Sequence, residues 1–295
     1  MIKSRLRTVG GLLAAIVGVA LGQAALATPA FAEVPLLSDT GYIRSANDAT
    51  AYKTVDAYCP TGQVVIGGGA ETSNSLAQFR TLTPFRNVVT GQYGYKAIAV
   101  SHGVVGSWQV SAKARCAPAP AGYELKSTTS VASSNYFTFQ HASCGAGRQV
   151  LAAGGSVRTQ PGDDAKVTLL GVRPDPEANN IGASAWGQEA GSYSGTWDVI
   201  ATAVCATTPT GYTTKDVANT SGGAANNQEF ASGSCATGTR IYSAGGYAIA
   251  TAEGTVPPGL IELEAMTSNQ LGLIGSGDTH AQQRGQIQLR LVCGA

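Results

Sequence analysis

Trp108-Gln109-Val110-Ser111-Ala112-Lys113-Ala114-Arg115-Cys116 alternates side chains with a period of two and ends on a cysteine. Trp197-Asp198-Val199-Ile200-Ala201-Thr202-Ala203-Val204-Cys205 does the same. Gly285-Gln286-Ile287-Gln288-Leu289-Arg290-Leu291-Val292-Cys293 does so with glycine at the tryptophan position. Period two is the signature of a strand, and three such runs, each closing on cysteine, predict an all-β chain built on a repeat. The cysteines, at 59, 116, 144, 205, 235 and 293, have gaps of 57, 28, 61, 30 and 58, alternately long and short. Each copy opens on Gly41-Tyr42, Gly122-Tyr123 or Gly211-Tyr212. Each then carries Cys59/Gly62, Cys144/Gly147 or Cys235/Gly238, and a glycine pair at Gly68-Gly69, Gly154-Gly155 or Gly245-Gly246.

Pro118-Ala119-Pro120 and Thr208-Pro209 mark the joints, giving units 33–120, 121–209 and 210–295 within one compact domain. In the first unit strands are expected near Gln63–Gly67, Phe79–Phe85, Tyr93–His102 and Trp108–Cys116, with a weaker one after Gly41. Pro161-Gly162-Asp163-Asp164 reads as a turn joining strands of the second unit. No amphipathic helix is expected after the N-terminal segment. Six cysteines allow fifteen pairings. Symmetry leaves two: each unit closes on itself (Cys59–Cys116, Cys144–Cys205, Cys235–Cys293), or the short gaps pair and Cys59 meets Cys293. The first is preferred, with each bond joining the first and last strands of one sheet.

The N-terminus has the order of an export signal: Lys3, Arg5 and Arg7, an apolar run Leu12–Ala20, then Ala30-Phe31-Ala32 as a cleavage site before Glu33. The apolar run is short for a membrane span, and no cysteine near the cut invites a lipid. The chain is therefore expected to be secreted and extracellular, where disulfides persist. The signal holds three of the 19 basic residues and none of the 18 acidic ones, leaving 16 against 18. Such a balance offers no field to a polyanion, so nucleic acid is not an expected partner.

Cys59-Pro60-Thr61-Gly62, Gly67-Gly68-Gly69, Trp108 and Cys116-Ala117 resemble the tandem Cys-Pro-x-Gly…Gly-Gly-Gly…Trp…Cys-Ala repeats of secreted actinobacterial proteins. Cys144-Gly145 and Cys235-Ala236 depart from that pattern. Three Greek-key-like antiparallel sheets with cysteine-bounded repeats are also similar in architecture to the vitelline membrane outer layer protein I family. That resemblance implies a disulfide-stapled β-prism, a fold whose members often bind sugars. No sugar-binding motif of the family matches residue by residue.

Chemistry-bearing patterns are sparse. His102, His141 and His280 lie far apart, and the cysteines occur singly, so neither a metal nor another cofactor is expected. Asp163-Asp164 and Asp175-Pro176-Glu177 fit no calcium loop and read as solvated turns. Gly191-Ser192-Tyr193-Ser194-Gly195 has tyrosine where a nucleophile elbow needs serine. Glu262 and Glu264 share one strand face, and Glu189 and Asp198 lie in the second unit. These are candidates for a carboxylate pair, and a solvated sheet face is the simpler reading. The glycine pairs precede strands rather than helices, which favours close backbone approach or a bulge over a phosphate cradle.

Trp108 and Trp197 occupy repeat positions and read as packing residues. Trp186 has no counterpart in the other units. With Gln188, Glu189 and Tyr193 it forms the candidate binding patch, an aromatic platform beside polar groups suited to a sugar ring. The leading expectation is a secreted non-catalytic binding protein for a glycan or cell-surface component. The alternatives are an extracellular hydrolase with a carboxylate pair, and an inhibitor presenting the loop Arg173–Asn180.

Overall fold

The computed structural model describes residues 37–74, 76–101, 106–177, 181–219, 228–249, 259–266, 271–277 and 286–295. The expected export signal with its expected Ala32–Glu33 junction, His102, His280, Gly285, the end of the 173–180 loop and the side chains of Glu262 and Glu264 lie outside them. Among the described residues the chain is all-β, with nineteen strands in three antiparallel sheets and one short 3-10 turn, Asp164–Lys166, directly after the expected Pro161–Asp164 turn.

The first sheet takes β1 (Ser38–Asp39), β2 (Ile43–Arg44), β4 (Val64–Thr72), β7 (Val110–Ala117), β15 (Gln228–Ser234), β17 (Gly259–Met266) and β18 (Leu271–Gly277). Its order is β1-β7-β4-β17-β18-β15, with β2 also on β7. The second sheet runs β3-β6-β5-β10-β13-β8: Tyr52–Tyr58, Tyr93–Ser101, Ala77–Arg86, Arg148–Arg158, Asp198–Thr207 and Glu124–Thr129. The third runs β14-β19-β16-β11-β12-β9: Thr213–Asn219, Gln286–Gly294, Arg240–Ile249, Val167–Asp175, Gly182–Glu189 and Phe137–Ser143.

Each sheet is thus drawn half from one stretch of chain and half from another, rather than one sheet from each stretch. The halves meet at β4–β17, β5–β10 and β11–β16, and every junction holds only two register pairs. The disulfides are the preferred set, Cys59–Cys116, Cys144–Cys205 and Cys235–Cys293. They do not clamp one sheet as expected. Cys59 follows β3 of the second sheet while Cys116 lies in β7 of the first, so the bond staples two sheets together. The other two bonds do the same.

The sheets close on one shared core in which Phe79, Tyr95, Leu82, Trp108, Leu169, Val172, Trp197, Ile241 and Leu289 pack together. A second cluster forms from Ile66, Leu151 and Tyr242. These three sit at the register shifts of β4, β10 and β16, where one extra residue re-aims a side chain. Glycine permits the close approaches between elements. A Cβ on Gly154 would lie 2.4 Å from Pro84 Cδ, and one on Gly245 2.6 Å from Pro174 Cδ. The register places Gly69, Gly154 and Gly245 opposite Lys113, Thr202 and Arg290, each three residues before its cysteine. The first glycine pair is therefore one residue out of step with the other two. Trp108 and Trp197 are both buried, as packing residues should be.

Strand β3 was not foreseen. Val55 and Ala57 point inward, and Lys53 joins them on the buried face. Its ammonium lies 5.0 Å from the Trp108 ring centroid and 2.6 Å from Asp48. Hydrogen bonds from Lys53 and Thr50 hold the Asp48 carboxyl down to about 2.

Candidate functional site

The third sheet presents an aromatic row on its outer face. Cross-strand register aligns Phe139, Trp186, Gly171, Tyr247 and Gln288 on β9, β12, β11, β16 and β19. Gly171 carries no side chain, so the rings of Trp186 and Tyr247 meet across it, with centroids 5.0 Å apart. The Arg173 guanidinium lies 5.6 Å from the Trp186 ring and 5.3 Å from the Tyr247 ring. Phe139 is 60% exposed at the rim and Phe137 beside it is also exposed. The Tyr247 hydroxyl donates to Gln288 Oε1 at 2.7 Å.

A charged row flanks the aromatic one. Arg173 Nε donates to Asp175 Oδ1 at 2.8 Å, and Ser184 donates to the other oxygen of Asp175. Arg290 donates to Asp216 from two nitrogens, at 2.5 and 2.8 Å, and to Glu177 at 3.1 Å. Its hydrogen bond holds the Asp216 carboxyl below the usual range, partial burial opposing. His141 Nδ1 lies 3.2 Å from Ser184 Oγ and 3.9 Å from Asp175 Oδ2. Serine, histidine and aspartate therefore gather here, but not as a catalytic triad. In a triad the acid binds one ring nitrogen and the serine the other. Here both face Nδ1, and Asp175 already takes the serine proton. His141 Nε2 is buried without a hydrogen-bond partner. Burial lowers the His141 pKa, against the pull of Asp175 and Glu177.

The four patch residues do not form one surface. Trp186 and Gln188 share a face of β12, with Trp186 half-buried and Gln188 buried. Glu189, one residue on, points inward and is 5% exposed. It accepts from the Trp197 indole Nε1 and from the Tyr193 backbone N–H, both at 3.3 Å. The Tyr193 hydroxyl donates to Asp163 Oδ2 at 3.0 Å. Glu189 and Tyr193 thus anchor the β12–β13 connection, apart from the Trp186 row. Asp198, only partly buried, accepts from Arg158 at 2.8 Å on both oxygens, whereas Glu189 is buried on Trp197 and Tyr193, so the two carboxylates are engaged with different partners. Arg173 and Asp175 belong to β11, engaged in the charged row. Among the described residues no group of three His, Cys, Asp or Glu could hold a metal ion.

A second concavity of about 440 Å³ opens on the outer face of the second sheet. It lies where β5 parts from β10 after the pairs Gly155–Leu82 and Ser156–Thr81. Its lining is mixed: Arg80, Lys96, Arg158 and Asp164 with the hydroxyls of Tyr52, Thr81, Thr83, Ser156 and Thr159, and the aliphatic Ile98 and Val157. No pattern in the sequence pointed here, because β5 and β10 are remote in the chain.

Compared with known proteins, the chain matches no family model and no curated protein sequence.

Proposed function

We propose that the chain, freed of its export signal, acts outside the cell as a non-catalytic binding protein whose ligand is a saccharide, held against the aromatic row of the third sheet. The observation that carries this is the Trp186–Tyr247 ring pair, buttressed by Arg173 and continued to an exposed Phe139. Sugar rings stack their C–H faces on such rings, and the charged row beside them supplies fixed donors and acceptors. The repeat organisation and the likeness to secreted β-prism proteins belong to the same proposal. Three disulfides, and no membrane-length apolar helix among the described residues, are compatible with it.

Trp186→Ala tests the site. Affinity for a saccharide found by glycan array should fall at least about tenfold, measured well below the Tm of the variant, because loss of the ring pair costs ~0.5–1.5 kcal/mol of stability beyond the area the half-buried indole covers. Unchanged affinity overturns the site. Protein recovered from the medium should begin at Glu33 by intact mass.

A hydrolase reading keeps one support: in the β4–β17 junction Glu262 is the register partner of Glu71. Turnover of a saccharide by the wild type, abolished by Glu71→Gln, would favour it.

A further inference from the structure

The cleft on the second sheet is a distinct candidate. Its central feature is Arg80. This residue sits at the register shift of β5, between Phe79 and Thr81. The corresponding shifts in β11 and β17 leave Leu170 and Ile261 at that point, and Leu170 is buried. The fold therefore accommodates an aliphatic residue at this bulge, yet β5 places a guanidinium there, only 6% exposed. Arg80 Nη2 donates to the Val157 carbonyl at 3.2 Å and to Thr159 Oγ1 at 3.0 Å, spanning the gap between the parting strands. Its Nη1 meets Asp164, and its Nε has no partner among the described residues.

The rest of the lining decides what could enter. Lys96 pairs with Asp56 at 3.4 Å, and Arg158 with Asp198. Every cation in the cleft thus has its own carboxylate, so the wall is charge-balanced. An anionic ligand would have to compete with carboxylates already held in place. An uncharged ligand need not break these pairs. Arg158 spends Nε and Nη2 on Asp198, leaving the donors of Nη1 without a protein partner among the described residues. Thr81 is 7% exposed, and its hydroxyl makes no hydrogen bond among the described residues. The same holds for the hydroxyls of Tyr52 and Ser156. Hydroxyls both donate and accept. Hydroxyls and neutralised ion pairs interspersed with the apolar Ile98 and Val157, and with the exposed Tyr52 ring, complement a ligand that has apolar C–H faces and whose polar groups both donate and accept.

We infer that this cleft is a second binding site, separate from the aromatic row, for an uncharged polyhydroxylated ligand of the neutral saccharide class. Its volume falls within the ~300–1,000 Å³ usual for small-molecule sites. The inference shares the ligand class of the proposed function, not its residues.

The test is amide NMR titration of the disulfide-intact protein with cellotetraose, maltotetraose and chitotetraose, and with a heparin tetrasaccharide as the anionic arm. At least one neutral probe should shift Thr81, Lys96 and Ser156, with little change on raising salt. Thr81→Val, which keeps the side-chain shape, and Arg80→Leu, which installs the residue β11 carries, should each weaken that probe about tenfold or more while the spectrum stays folded. Trp186→Ala should leave these shifts intact. Shifts confined to Trp186 and Tyr247 would overturn the cleft and leave the aromatic row standing. Shifts at the cleft alone would do the reverse. Response only to heparin, abolished by salt, or to no probe, overturns the cleft site.

Discussion

Glu189→Ala separates packing from recognition. The carboxylate is buried and accepts from Trp197 Nε1, on an indole only 1% exposed, and from the Tyr193 amide. Truncation leaves the indole donor with no route to water, which costs ~1–3 kcal/mol, and the amide bond adds ~0.5–1.5 kcal/mol. Alanine also relieves the desolvation of a buried carboxylate, which offsets part of that. A net loss of about 2 kcal/mol is expected, and for a chain of this size it lowers Tm by ~4–8 °C. Thermal melting followed by tryptophan fluorescence reads both the Tm and the loosened environment of Trp197. Saccharide affinity at the aromatic row should be unchanged once the protein is held well below its Tm. An unaltered Tm combined with lost affinity would refute the reasoning and return Glu189 to the ligand.

Replacing Cys144 and Cys205 together by alanine removes one inter-sheet staple. A loop of this length should cost about 4 kcal/mol on the chain-entropy model, read as a lower urea midpoint. His141 titrates below its ordinary value of 6.5 because the fold shields it. The unfolded chain therefore binds this proton first, so its contribution is whole above about pH 6.5 and is lost as pH falls through the window beneath. Stability should decline more steeply from about pH 7 to about pH 5 in the wild type than in His141→Gln.

Much of this fold could be read from one strand type. The cysteine-closed runs carry a period of two, and the cysteine gaps narrow the pairings to two, of which the preferred intra-unit set is the one found. The same periodicity would have divided the candidate patch, since Trp186 and Gln188 share a parity and Glu189 does not. Lys53 hid β3 by putting a charge where the alternation calls for an apolar residue, and the Trp108 ring, Asp48 and the Ala46 carbonyl make that charge tolerable there. Sheet membership was not legible. Which strand lies beside β5 is settled in space by the Gly154–Pro84 approach, not by neighbours in the chain. The cleft at that boundary was hidden for the same reason, and so was Tyr247, whose value comes from facing Trp186 across Gly171.

The three two-pair junctions also set an order of assembly. Two of them join strands from adjacent parts of the chain, but β4 must wait for β17, which lies almost two hundred residues further on. Until then one side of β4 is a bare row of amides and carbonyls, the kind of edge that recruits strands from other chains. The β4–β17 pairing is a long-range contact, and contacts of this kind make folding slow and expose it to aggregation. A chain shortened before β17 would leave Ala70 and Glu71 of β4 without their strand partners and that edge open to strands of other chains.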